Sequence, residues 1–168
     1  MKAGLVASFL VLQLATTAAI AQPLTKEALL GTWQIVSVET VRPSGESLIE
    51  WMGARPSGWI IYNTSGHMSV QLMRDPRPQF TVPGYRNAPE REKAAALDGY
   101  YAYFGTYEMN IEAGTITHHV IGSLRPNEVG SKLTRQVRLE GGRLTLTTPP
   151  FNQEGEQRFN RLVWERVK

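Results

Sequence analysis

The chain contains no cysteine. That absence excludes disulfide staples, thiol catalysis, iron–sulfur clusters and zinc–thiolate sites, and it leaves the core alone to hold the fold. It also removes the lipid-bearing cysteine of a bacterial lipoprotein. Histidine is scarce: His67, His118 and His119 are the only three. Net charge is small, +3 over 168 residues with acids and bases interspersed, so charge does not point to nucleic acid. No apolar run beyond the N-terminal stretch is long enough to span a bilayer. There is no Gly-x-Ser-x-Gly elbow, no glycine-rich phosphate loop, no outstanding carboxylate pair and no haem-attachment motif. Hydrolase, kinase and dehydrogenase readings are without support.

Residues 1–21 read as an export signal. Lys2 supplies the positive start, "LVASFLVLQLA" the apolar stretch, and "AIA" (19–21) the small-x-small cleavage site. Cleavage is expected before Gln22. That leaves 22–168 as one domain, periplasmic or secreted, with no transmembrane anchor.

The rest is punctuated into strands. "TWQIVSVETV" (32–41) is rich in β-branched residues and stops at "RPSG". "GWIIY" (58–62) meets the turn "NTSG", and "HMSVQLM" (67–73) alternates strictly. A proline-rich loop over 74–88 follows, and long loops are often functional. Pro89, Glu90 and Glu92 open a short helix over 89–98 that Gly99 ends. Strands are expected again at 105–111, 115–124, 132–140, 143–148 and 157–167. Eight antiparallel strands joined by simple hairpins predict an all-β, up-and-down, eight-stranded barrel with one short helix, in preference to a sandwich.

Two ends of the chain carry a family resemblance. "LLGTWQIVSVE", with Gly31 and Trp33, resembles the Gly-x-Trp signature of the calycins, the superfamily of lipocalins and fatty-acid-binding proteins. "LVWERV" resembles their last strand, with Arg166 as its basic residue. "PSGWIIYNTSGHMSVQLM", "YAYFGTYE", "GTITHHVIGSL" and "RLTLTTPP" together resemble the bacterial and fungal lipocalin-like domain family over about residues 28–166. The resemblance implies a small barrel that binds a small molecule, with Trp33 closing one end and Arg166 packed over it. It departs from the fatty-acid-binding proteins at one point. Their carboxylate-gripping Arg-x-Tyr pair is replaced by Leu162 and Trp164.

Side chains alternate across a strand, so each strand sorts into two faces. Leu133, Val137 and Leu139 share a face with Arg135, which makes Arg135 an inward cation: a clamp for an anionic ligand group, half of an internal ion pair, or a side chain near the barrel mouth whose head reaches water. His118 lies with Ile116 and Val120, whereas His119 lies with Thr117, Ile121 and Ser123. Neighbouring histidines cannot both face one ligand, so no metal and no cofactor is expected. His119 is the cavity candidate because Thr117 and Ser123 would give it a polar cluster. His67 faces out by polarity, yet it is a candidate as an orienting group. In "YYAYFGTYE", Tyr107 shares its face with Met109 and Ile111 and points inward, and Tyr103 is placed at the rim. The first strand is ambiguous, with Trp33, Ile35, Ser37 and Glu39 opposing Gln34, Val36, Val38 and Thr40.

The expected ligand site is therefore His67, Tyr103, Tyr107, His119 and Arg135, with loop 74–88 and helix 89–98 covering or flanking the mouth. The expected partner is a small, largely apolar molecule. An isomerase or cyclase using a cavity His or Tyr is the alternative, and a structural envelope protein with a filled barrel is another. Cavity volume separates them: roughly 300 Å³ or more favours binding or catalysis, and a filled interior favours neither.

Overall fold

The computed structural model describes residues 24–49 and 51–168. The expected export signal lies outside them. A short helix α1 (Lys26–Leu29) leads into β1 (Gly31–Val41), β2 (Ser47–Leu48), β3 (Ser57–Tyr62) and β4 (His67–Met73). Helix α2 (Glu90–Asp98) follows, then β5 (Tyr100–Asn110), β6 (Thr115–Ser123), β7 (Lys132–Glu140), β8 (Arg143–Thr147), β9 (Phe151–Gln153) and β10 (Glu156–Arg166). The wall runs β1-β3-β4-β5-β6-β7-β8-β10, and β10 pairs back onto β1. The result is a closed antiparallel barrel of eight strands, which leaves no long edge exposed. Strands β2 and β9 are short flaps on β1 and β10, in stretches outside the eight strands expected from the sequence. No helix of the described residues is long and apolar enough to cross a membrane.

Two irregularities in the wall reset which residues face inward. A bulge in β1 between Ile35 and Ser37 moves the buried set from Trp33 and Ile35 to Val38 and Thr40. The ambiguous pattern of this strand comes from that bulge, because an extra residue flips every later side chain. On the β5–β6 pair, Phe104 opposes Gly122 but Gly105 opposes Val120, so Ile121 is the extra residue. Ser123 thereby lands on the inner side, across from Tyr103. Close approach demands glycine here: a Cβ on Gly105 would sit 1.9 Å from the His119 carbonyl oxygen.

Strand β5 begins at Tyr100 rather than near 105. Aromatic residues suit a half-buried pleat, and Tyr101, Tyr103 and Tyr107 alternate into the core while Phe104 and Glu108 face out. The core also gathers Trp33, Ile60, Tyr62, Leu72, Ile116, Leu144 and Trp164, each almost fully buried. Each such side chain contributes about 1.5–3 kcal/mol on leaving water.

One end is sealed as the resemblance implied. The Trp33 indole N–H donates to the Leu29 carbonyl at 2.8 Å, and the Arg166 guanidinium lies 4.1 Å from the centre of the Trp33 ring. Arg166 also donates to the carbonyls of Leu30 and Ala28, which pins α1 across the barrel end.

Helix α2 forms as its sequence predicts, with Pro89 at its N-cap, Glu90 and Glu92 in its first turn and Gly99 at its C-cap. It buries no side chain and lies against β5 outside the wall. Loop 74–88 folds back onto it: Thr81 donates to Glu92 through its backbone N–H and its hydroxyl, and Arg77 donates to the Ala96 carbonyl.

Candidate functional site

The barrel interior holds a cavity of about 140 Å³. Its apolar lining includes Ile60, Val70, Leu72, Leu133 and Leu146, and its polar lining includes Tyr103, His118, Arg135 and Asn160. The interior is therefore not filled, yet the space is well under the roughly 300 Å³ of a drug-sized pocket. It matches the size class of an apolar cavity of about 150 Å³ that holds one benzene ring.

His118 is the centre of this cavity's chemistry. Alternation with Ile116 and Val120 turns it inward, and only 1% of it is exposed. Its Nε2 lies 2.8 Å from the Tyr62 hydroxyl and its Nδ1 lies 2.8 Å from the Tyr103 hydroxyl. Burial, aided by the charges of Arg135 and His119, lowers its pKa to about 3; at neutral pH the ring is uncharged. Burial pushes the Tyr103 hydroxyl up to about 12, with Arg135 pulling against the rise and Glu128 adding to it. Burial likewise raises Tyr62 well above an ordinary phenol.

Arg135 enters from β7, as alternation predicts. Its guanidinium donates to the adjacent Thr134 carbonyl at 2.9 Å. No carboxylate among the described residues pairs with it, so of the readings offered for it the internal ion pair is not found there. Trp164, from β10, is fully buried and lines the same cavity. Its indole N–H has no hydrogen-bond partner among the described residues.

The other expected residues sit elsewhere. His119 faces outward from β6 and meets Glu108 at 3.1 Å. The polar cluster that favoured it does not exist, because the bulge at Ile121 carries Ser123 to the inner side. His67 is exposed at the start of β4, with Nδ1 2.9 Å from the Ser65 hydroxyl in the preceding turn. Tyr107 is buried and stacks edge-on against Tyr62, but its hydroxyl donates to the Asn63 carbonyl and ties down that same turn. Tyr103 is deep inside rather than at the rim. Gly31, Trp33 and Arg166 belong to the sealed end.

The mouth is built from segments with no periodic signal. The Arg125 guanidinium lies 4.4 Å from the Tyr101 ring centre and 5.0 Å from that of Trp51. Glu128 anchors it at 3.3 Å and accepts from the hydroxyls of Tyr101 and Ser123. Trp51, Arg125 and Glu128 line both the inner cavity and an open outer groove of about 710 Å³. Arg74, Leu97 and Asp98 reach only that groove. Helix α2 thus flanks the mouth from outside, one of the two placements expected of it, whereas loop 75–88 lines neither space.

Comparison with known proteins agrees with this architecture. The 4'-hydroxy-3'-methoxypropiophenone carrier protein ppsC of Aspergillus oryzae is 30% identical over 107 residues, which cover 60% of this chain and 96% of that protein. The sequence pattern of the lipocalin-like domain matches residues 30–167, nearly the whole described barrel, and the chain belongs to that family.

Proposed function

We propose that this protein is a carrier that holds one small, largely apolar, single-ring molecule inside its barrel. The observation that carries this reading is the interior cavity of about 140 Å³, walled by aliphatic side chains with a few polar groups converging on one region. That is the general composition of a ligand site, at a size that suits a single ring better than a long acyl chain. The relative's name points the same way, since 4'-hydroxy-3'-methoxypropiophenone is a single aromatic ring with oxygen substituents. The N-terminal signal pattern supports an exported carrier, cleaved before Gln22.

The isomerase or cyclase alternative would use His118 and Tyr103 to move a proton. A good general base or acid titrates near the working pH. An imidazole lowered to about 3 and a phenol raised to about 12 are both far from it. The same burial that spoils them for proton transfer keeps them neutral and fixed for recognition.

Native mass spectrometry of the protein recovered from its own host tests the carrier reading. A bound molecule of single-ring size, released unchanged on denaturation, is the expected result. Palmitate binding in preference to any single-ring compound would overturn it. N-terminal sequencing of the exported form is expected to begin at Gln22; a retained Met1 in that fraction would overturn export by cleavage.

A further inference from the structure

The polar groups of the cavity have a polarity of their own, set by proton accounting. A neutral imidazole has one N–H and one bare nitrogen. The Tyr62 hydroxyl is fully buried, and among the described residues its hydrogen-bond partner is His118 Nε2. If Nε2 carried the proton, the Tyr62 O–H, which does not border the cavity, would have no acceptor among the described residues, a costly state for a buried donor. In the other tautomer the O–H left over is that of Tyr103, which lines the cavity and can meet a ligand there. Tyr62 therefore donates to Nε2, and the proton of His118 sits on Nδ1. That N–H donates to the Tyr103 oxygen. The Tyr103 O–H is left without a protein acceptor and is free for the cavity.

The neighbouring groups have the same sense. Arg135 offers guanidinium N–H groups and no acceptor. The Trp164 indole N–H has no partner among the described residues. Asn160 receives Thr40 on its carboxamide oxygen at 3.0 Å, which leaves its amide N–H groups available. The carboxylate in the lining, Glu128, is engaged at the mouth by Tyr101, Ser123 and Arg125. Thr148 Oγ1, also in the lining, accepts from the Asn160 backbone N–H. Among the described residues the cavity thus presents donors and a positive charge, and its acceptors are already engaged.

We infer that the ligand is a single-ring organic anion whose negatively charged oxygen, from a carboxylate or a phenolate, is held by the Tyr103 hydroxyl and Arg135 with the Trp164 N–H beside it. This rests on the carrier reading and narrows it. A charged oxygen answers both the unpaired cation and the orphaned donors, because hydrogen bonds to charged groups are the stronger kind. A hydrocarbon would leave all of them unsatisfied, and a cationic ligand would meet Arg135 with like charge. Tyr62 is a positioning residue: it acts through His118, by fixing which way the Tyr103 proton points.

Calorimetric titration of the full chain with benzoate, acetophenone, toluene and benzylammonium tests the inference. Benzoate is expected to bind most tightly, ahead of toluene and benzylammonium by roughly tenfold or more, the worth of one charge-assisted hydrogen bond. In Arg135→Met and in Tyr103→Phe, the benzoate and toluene affinities are expected to converge. Toluene, acetophenone or benzylammonium binding as tightly as benzoate to the unmodified protein would overturn the inference and leave the carrier reading standing. Failure of every probe to bind would sink the carrier reading itself. The unmodified protein alone decides between these outcomes, even where a variant does not fold.

Discussion

The Tyr62 hydroxyl meets His118 Nε2 at 2.8 Å in the barrel interior, and both residues are almost fully buried. No second side chain among the described residues meets either atom at that contact, so each depends on the other. Tyr62→Phe keeps the ring, and with it the edge-on contact to Tyr107 at 5.0 Å between ring centres, but strands Nε2. Loss of a partner from a buried polar atom costs about 1–3 kcal/mol. Urea unfolding is expected to show that loss with an unchanged m-value. A variant as stable as the parent would show that this contact is not a mutual one.

The neutral state of His118 makes stability depend on pH. Its folded pKa, about 3, is depressed below the ordinary 6.5 by burial first and then by Arg135 and His119. The unfolded chain therefore binds a proton more readily than the folded one. This contribution to stability is complete above about pH 6.5 and is lost as pH falls from there toward about 3. The slope from this one group is about 1.4 kcal/mol per pH unit at most. Between about pH 6.5 and 5 most carboxylates stay ionised, so the fall there reports histidine. Thermal melts across that window are expected to slope in the parent and to flatten in His118→Gln. A parent melting temperature that is level from pH 6.5 to 5 would contradict a neutral, buried His118.

The inward Arg135 and the outward His119 show how much of this site the sequence contains. Leu133, Val137 and Leu139 flank Arg135 at period two, and the structure follows that pattern because β7 is regular throughout. The same rule applied to β6 selects His118, between Ile116 and Val120. The choice of His119 relied instead on Ser123, which lies beyond an extra residue that periodicity does not encode. Gly105 and Gly122 flank that bulge and are its one trace in the sequence. Tyr62 was equally hard to read, because β3 is apolar on both faces: Trp59 is 53% exposed while Ile60 is buried. Trp51, Arg125 and Glu128 lie in connections whose path depends on the closed barrel, so only the folded chain brings them together. The barrel itself was legible because hairpin turns and strand lengths are local, and closure follows from their number.

Gly31 is expected to resist any side chain, for two separate reasons. Its φ is +116°, a region that costs an ordinary residue about 1–3 kcal/mol. A Cβ there would also stand 2.9 Å from the Arg166 guanidinium, which must stay in place to cover Trp33. Gly31→Ala should lower the unfolding free energy by at least the backbone cost. Arg166→Ala lacks that backbone strain, so in the double variant the steric part of the loss disappears and the backbone part remains. Additive losses in a double-mutant cycle would show that Gly31 and Arg166 do not interact.

Arg125 stands at the mouth of the cavity and is expected to govern access to it. Its guanidinium lies against both the Trp51 and Tyr101 rings and is anchored by Glu128, where the inner cavity meets the outer groove. Contacts of this kind are individually weak, about 0.5–1 kcal/mol for an exposed cation–π pair and about 0–1 for a surface ion pair. Such a latch opens often, yet a ligand must wait for it in both directions. Arg125→Ala is therefore expected to speed association and dissociation together, each by severalfold to about tenfold, while the equilibrium affinity shifts little. Stopped-flow tryptophan fluorescence reads both rates, since Trp51 and Trp164 border the cavity. Unchanged rates would place the entry route elsewhere, and a fall in affinity with an unchanged association rate would make Arg125 part of the binding surface rather than its gate.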